Sequence, residues 1–244
     1  MLTSFFNKKD PIPLPKLLVD IHSHLIPGID DGAKNMGESL AFLRVLESLG
    51  YKKLITTPHI MVDAYDNSTQ SIQNGLRVLS NKAKEAGIKL EIEAAAEYYL
   101  DEGFLEHLHS GNILTISGEY ILFETSYIAK PLQFDAIVSE IFSAGYKPLL
   151  AHPERYRYIN HLETEYRALK DKGIFFQVNI NSFGGHYGKE AKIKADFLNK
   201  NGMIDFLGSD THHMKQLDTL AVIQKKRVYK SIFKNNIILN NVLL

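Results

Sequence analysis

Cysteine is absent from this 244-residue chain. That excludes disulfides, zinc–thiolate sites and every mechanism built on a cysteine nucleophile, and it fits an expectation of a cytoplasmic protein. Charge of one sign is missing too. Lys plus Arg and Asp plus Glu both number 28, a formal net charge of zero, and the basic residues are scattered. No electrostatic footprint for nucleic acid results, which sets a nuclease reading aside. No apolar run approaches the roughly 18 residues a membrane span needs. Lys8 and Lys9 follow the first apolar residues, the wrong order for a secretion signal. Proline is sparse, at 8, while hydrophobic residues make up 45 %, enough for a sizeable globular core.

What is present is organised around residues 19–32, V-D-I-H-S-H-L-I-P-G-I-D-D-G. The apolar residues Leu17, Leu18, Val19 and Ile21 read as a buried strand that delivers His22 and His24 at its exit. Positions i and i+2 of a strand share a side, so the two imidazoles can converge. Asp20, Asp30 and Asp31 lie close by, with Pro27 and Gly28 turning the chain between them. A polar turn with solvated histidines is the competing reading of this stretch alone.

Residues 1–16, with Pro11, Pro13 and Pro15, read as an extension whose Phe5 and Phe6 precede the two lysines; residues 17–244 read as one domain. Strands are expected at 53–57, 88–96, 120–123, 148–151, 174–180 and 204–208. Helices are expected at 38–49, 68–86, 104–109, 131–144, 163–172 and 190–200, with a C-terminal helix broken near Asn235 and Asn236. Strand and helix alternate seven times, which predicts an α/β fold with a mostly parallel sheet.

Almost every unusual polar residue follows a strand. The strand exits carry His22, His24, Asp31, His59, Glu97, Glu124, His152, Asp210 and His212. In a (β/α) barrel the carboxyl ends of the strands meet on one face, where chemistry collects; six or seven such exits favour a closed or nearly closed ring over an open sheet with one switch point. Singly, each residue could be an ordinary polar strand end. Together, nine donors exceed what one ion can take, so two or three ions about 3.5–4 Å apart are expected. Histidine and carboxylate without thiolate suit manganese, iron or zinc, with nickel also compatible. Such a centre suits phosphate monoesters. Arg155, three residues past His152, can clamp phosphoryl oxygens through its planar fork. Arg157, His186 and Lys215 are further candidates for substrate contact, and Tyr65 and Tyr187 for the lining of the mouth. His213 is expected to support its neighbour His212 or to donate a proton, while His107, His109 and His161 read as surface residues.

The motifs D-I-H-S-H (20–24), D-D-G (30–32), T-P-H (57–59), A-E-Y-Y (96–99), E-T-S (124–126), A-H-P-E-R-Y (151–156), Q-V-N (177–179) and S-D-T-H (209–212) resemble the polymerase-and-histidinol-phosphatase (PHP) superfamily. More closely, they resemble its branch of bacterial manganese-dependent tyrosine-protein phosphatases from capsular and exopolysaccharide operons. The resemblance implies a single-domain, distorted (β/α)7 barrel of the TIM type with a trinuclear Mn2+ centre. It places His22, His24, Glu97 and Asp210 around one ion, Glu97 with Glu124 and His152 around a second, and Asp31, His59 and His212 around a third. Arg155, with Asp210 and His212, makes up the implied catalytic set. The implied substrate is the tyrosine-phosphorylated C-terminal tail of a membrane-bound bacterial tyrosine kinase, attacked by a metal-activated hydroxide without a phosphoenzyme. The enzyme would be cytoplasmic and could sit at the inner membrane through that kinase, with Phe5, Phe6, Lys8 and Lys9 helping to seat it. Some relatives carry a second arginine just after the last motif, where this chain has Lys215. Two other readings compete: a small-molecule phosphomonoesterase such as a histidinol phosphatase, and a non-catalytic scaffold of the polysaccharide machinery.

Overall fold

The computed structural model describes residues 15–244. Of the expected extension, all but its last two residues, including Phe5, Phe6, Lys8 and Lys9, lies outside the described residues.

Nine parallel strands run β1 (Val19–Asp20), β2 (Lys53–Thr56), β3 (His59–Ile60), β4 (Glu91–Ala94), β5 (Glu97–Tyr99), β6 (Tyr120–Glu124), β7 (Lys147–Ala151), β8 (Phe175–Asn179) and β9 (Phe206–Gly208). They hydrogen-bond in the orders β1-β2-β4 and β3-β5-β6-β7-β8-β9. Two short strands, β3 and β5, lie beyond the expected ranges, each continuing the path of the strand before it. β2 and β3 are parted at Thr57–Pro58, where proline has no N–H for the ladder. β4 and β5 are parted at Ala95–Ala96, and Glu97 opens β5 rather than closing the strand before it. Pairing carries across both breaks: Ala95 N donates to Thr56 O and Glu97 N to Pro58 O. The nine segments therefore form seven strand paths.

The last path returns to the first. Ser23 bridges Thr211, His24 N donates to Thr211 O, and Asp210 N donates to His22 O. At the opposite end of the same seam, the Asn240 amide donates to Val19 O and Leu207 O and accepts from Leu207 N. The fold is thus a distorted (β/α)7 barrel.

Helices α1 (Met36–Ser48), α2 (Thr69–Glu85), α3 (Phe104–His109), α4 (Phe134–Ser143), α5 (Leu162–Asp171), α6 (Gly188–Lys200), α7 (Met214–Ile223) and α8 (Arg227–Asn235) cover the ring. Their starts follow local capping. Asn35 accepts from Glu38 N ahead of α1, and Ser68 and Ser71 form a reciprocal box at α2. α4 begins three residues later than expected, because residues 131–133 form a turn in which Pro131 O accepts from Phe134 N. None of the described helices is long and apolar enough to cross a membrane.

Strand alternation sorts the side chains. Ile121, Phe123, Leu150, Phe176, Val178 and Leu207 pack outward in the main core beneath the helices. Val19, Ile21, Ile55, Ala95, Tyr120, Leu122, Leu149, Ala151 and Phe206 fill a separate interior cluster, against which Leu239 and Leu243 pack. The inward rows read Tyr120-Leu122-Glu124, Phe175-Gln177-Asn179 and Phe206-Gly208-Asp210. Each is apolar at the start of the strand and polar at its carboxyl end, so the interior is a packed core capped by a polar mouth.

Candidate metal centre

Glu97 sits at the middle of that mouth and is fully buried. Its Oε2 lies 3.0 Å from His22 Nε2, 3.4 Å from His24 Nε2 and 3.3 Å from His59 Nδ1; its Oε1 lies 3.0 Å from His152 Nε2. Glu124 Oε1 approaches His59 Nδ1 at 3.3 Å and its Oε2 approaches His152 Nε2 at 3.8 Å. Asp210 Oδ1 stands 3.6, 3.7 and 3.4 Å from His22, His24 and His212. Asp31 Oδ1 lies 3.5 Å from His59 and 3.3 Å from His212.

All nine strand-exit donors therefore meet at one place. They fall into four overlapping groups whose ligand atoms lie within 4.8 Å of one another: His24, Asp31, His59 and His212; His22, Glu97 and His152; His22, His24 and Asp210; His59, Glu97 and Glu124. The partition differs from the implied one in several respects, and His24 also joins Asp31, His59 and His212. Glu124 groups with His59, and His152 groups with His22.

The second layer of contacts aims these donors. Gln177 Oε1 meets His22 Nδ1 at 2.6 Å, and Asp30 Oδ2 meets His24 Nδ1 at 2.8 Å, so each ring turns its Nε2 toward Glu97 and Asp210. Asp30 also accepts from Gly32 N and His59 N, tying the D-D-G turn to two donors. Asp210 Oδ2 accepts from Asn179 Nδ2 at 2.6 Å, Tyr187 Oη at 2.9 Å and Arg155 Nη1 at 3.1 Å, leaving Oδ1 to face the histidines. Asp20 faces away from the centre, accepting from Ser209 N and Oγ.

Two glycines are required by close approach. A Cβ on Gly32 would stand 2.3 Å from His24 O, and one on Gly208 would stand 2.4 Å from Gln177 Nε2 and 2.7 Å from His22 Cβ. Backbone strain collects here as well. His152 (φ 33°) and Asp210 (φ 49°) are two of four non-glycine residues with positive φ among the described residues, a conformation costing about 1–2 kcal/mol that persists where its surroundings enforce it.

Electrostatics divide the imidazoles. Burial disfavours the His22 cation, but Glu97 and Asp210 outweigh it and hold its pKa at about 9. Burial likewise opposes charge on His24, and Asp30 overcomes it, raising the pKa well above the usual range. Burial lowers His59 and His152 to about 4, with Arg155 adding to the effect at His152. Glu97, although buried, is held well below the usual carboxylate range by His22 and His59; burial and the neighbouring Glu97 push Glu124 well up.

The residues fit a metal cluster on independent grounds. His24 Nε2 and His59 Nδ1, both facing the carboxylates, are buried without a hydrogen-bond partner, which is costly for a polar nitrogen unless it serves as a ligand. Metal binding would displace the protons that His22 and His24 otherwise hold, and with all five imidazoles neutral the four carboxylates Asp31, Glu97, Glu124 and Asp210 would balance the charge of two divalent cations.

Arg155 is stacked between two rings, its Cζ 4.5 Å from the centroids of both Tyr127 and Tyr187. Tyr127 Oη donates to Glu124. A cavity of about 190 Å³ over the centre is lined by donors together with Arg155, Tyr187, His186 and His213. Tyr65 stacks on His59 at 5.3 Å. Arg157 and Lys215 do not line this cavity. Arg157 lies beyond Arg155 in a neighbouring one, and Lys215 is exposed on the first turn of α7, close enough to His186 to help lower its pKa after burial. His213 precedes α7, its carbonyl accepting from Gln216 N and its own N–H donating to Gln216 Oε1. His109 is exposed and pairs with Glu140.

Sequence reasoning counted Asp30 with Asp31 as a loop carboxylate near the histidines and gave no role to Gln177, Asn179 or Tyr127. Gln177 and Asn179 carried a signal, as polar residues at alternate positions of an otherwise apolar strand. Tyr127 carried none.

A seven-path parallel barrel with a histidine–carboxylate cluster at the carboxyl ends of its strands defines a class of α/β barrels built around a metal site. Within that class the chain belongs to the CpsB/CapC family of capsular polysaccharide synthesis, whose pattern matches residues 18–241. It is 28 % identical over 199 residues to the tyrosine-protein phosphatase YwqE of Bacillus subtilis, covering 81 % of this chain and 78 % of that protein. It is 29 % identical over 203 residues to the tyrosine-protein phosphatase CpsB of Streptococcus pneumoniae, covering 81 % and 84 %. The fold matches crystal structures of YwqE from Bacillus subtilis and CpsB from Streptococcus pneumoniae, described as unique metal-dependent tyrosine phosphatases. The TM-score is 0.77 at 24 % identity, over 90 % of this chain and 96 % of that one.

Proposed function

We propose that this chain is a metal-dependent protein-tyrosine phosphatase. Its substrate is the phosphotyrosine-bearing tail of a membrane-bound bacterial tyrosine kinase that controls capsular or exopolysaccharide synthesis, and it works in the cytoplasm. The observation that carries this reading is the convergence of nine histidine and carboxylate donors beside a single arginine held 3.1 Å from one of them. Family membership and the names of the relatives support it. Manganese is the proposed metal; iron, zinc and nickel suit the same donors.

His22, His24, Asp31, His59, Glu97, Glu124, His152, Asp210 and His212 would hold the ions. Once bound, the metals neutralise phosphoryl oxygens and make water a usable nucleophile near neutral pH. The protein supplies the rest. Arg155, fixed by two aromatic rings and by Asp210, presents its planar fork at the rim, where a phosphoryl group's charge rises in the transition state. Asp210 is anchored through Oδ2 by Asn179, Tyr187 and Arg155, so its other oxygen is positioned before substrate arrives. His212, stacked on His24 at 3.9 Å, closes the same side of the mouth. With no cysteine in the chain, no thiol phosphoenzyme can form.

The test compares kcat/KM of the manganese-loaded protein on a phosphotyrosine peptide and on histidinol phosphate. A hundredfold preference for the peptide, about 2.7 kcal/mol in transition-state binding, is expected. The reverse preference would move the protein to small-molecule phosphate esters. Turnover of neither, with His59→Ala indistinguishable from wild type, would leave only a scaffold role.

A further inference from the structure

A second cavity lies next to the candidate metal centre. Its volume is about 500 Å³, against about 190 Å³ over the donors themselves. Tyr127, Arg155 and Tyr187 line both, so the stacked arginine is a shared wall. A phosphotyrosine side chain directed at the donors leaves its peptide backbone at this rim, and the larger cavity is where the adjoining residues have room.

The far side of the wall carries Arg157 and Lys189, both exposed. Among the described residues neither forms an ion pair, whereas the other charges there are already matched. Arg155 is paired with Asp210. Glu190 is paired at 2.6 Å with Lys194, which also donates to Tyr156 O. Glu154 is buried and accepts from Ser182 Oγ and Asn179 N, and burial pushes its pKa up to about 7. The unmatched charge of this cavity is therefore positive. Arg157 is fixed to the shared wall through its backbone, its N–H donating to Tyr127 O at 2.7 Å. Ile128, largely exposed, adds an apolar edge.

We propose that Arg157 and Lys189, set across the Tyr127–Arg155–Tyr187 wall from the donor cluster, form a subsite for an acidic side chain flanking the phosphotyrosine of a substrate peptide. The inference rests on the protein-tyrosine phosphatase reading and extends it to substrate choice. Arg157 then selects the peptide rather than gripping the phosphoryl group. Because both cations are exposed, each contact is modest and screened by salt.

The experiment uses the manganese-loaded protein and two phosphotyrosine peptides that differ only in carrying glutamates or lysines at the flanking positions. At low ionic strength the acidic peptide is expected to have a kcat/KM about tenfold higher, with the difference in KM. In the double variant Arg157→Glu, Lys189→Glu the preference reverses, and in 0.5 M salt both proteins lose most of their selectivity. Equal turnover of the two peptides by wild type, or an unchanged ratio in the double variant, overturns the subsite while leaving the phosphatase reading intact. If p-nitrophenyl phosphate is hydrolysed but neither peptide is, the tyrosine-protein reading fails and the subsite fails with it.

Discussion

Asp30 contributes no donor to the cluster proposed here, yet its carboxylate holds three groups that shape it: His24 Nδ1 at 2.8 Å, Gly32 N at 3.0 Å and His59 N at 3.2 Å. Asp30→Ala removes both carboxylate oxygens and with them all three hydrogen bonds. A buried donor left without a partner costs about 1–3 kcal/mol, and with part of the D-D-G turn relaxing toward water the expected net loss of stability is about 2–4 kcal/mol. For a chain of this size that lowers Tm by roughly 5–15 °C. The more specific effect is on metal. Without Asp30 the His24 ring is free to turn and to change tautomer, so its Nε2 no longer points at Glu97 and Asp210. Loss of such an orienting partner weakens metal affinity about 10–100-fold, or roughly 1.4–2.7 kcal/mol. Calorimetric titration of Mn2+ into metal-free wild type, Asp30→Ala and Asp30→Asn separates the two effects, with thermal melts recorded alongside. The asparagine variant keeps an acceptor oxygen and should fall between the others. If Asp30→Ala melts lower but binds Mn2+ within twofold of wild type, Asp30 is a brace of the loop only and the orientation argument is refuted.

Two further outcomes are expected. Arg155→Ala should reduce kcat about 10²-fold while metal content, measured by elemental analysis, stays at the wild-type level; a turnover that barely moves would remove Arg155 from the transition state. Asp20 is buried, which raises its pKa from the ordinary carboxylate value to about 6. A raised carboxyl favours the fold while protonated, so its contribution is full below about pH 4 and is lost as pH climbs through 6, on the order of 3 kcal/mol in total. Asp20→Asn cannot ionise. Urea unfolding of the variant and wild type at pH 4.5 and 7 should therefore show the variant gaining relative stability at the higher pH, and a constant difference would contradict the assignment.

Much of this protein was legible in order along the chain. The run of polar residues at strand exits placed Glu124 and Asp210 at the mouth of the ring, and the H-x-H spacing put His22 and His24 on one side. Those inferences need only local geometry, since alternation along a strand decides which face a residue joins. The absence of cysteine removed whole classes of chemistry without any structure. The breaks at Thr57–Pro58 and Ala95–Ala96 were less legible, because a short apolar stretch reads the same whether or not its ladder is interrupted.

Only the tertiary structure decided which residues serve the donors and which face the substrate. Tyr127 and Tyr187 are 60 positions apart in the sequence, yet they clamp the same guanidinium. Arg155 and Arg157 are two residues apart, yet only the first lines the cavity over the donors. Asp30 reads as a neighbour of Asp31 with the same chemistry, but one carboxylate turns to the back of His24 and the other toward His59 and His212. Composition and spacing set residue type and face. Which pairs meet is settled when the ring closes and brings distant loops to one mouth, because hydrogen bonds and ion pairs form over about 3 Å, a distance that separation along the chain does not encode.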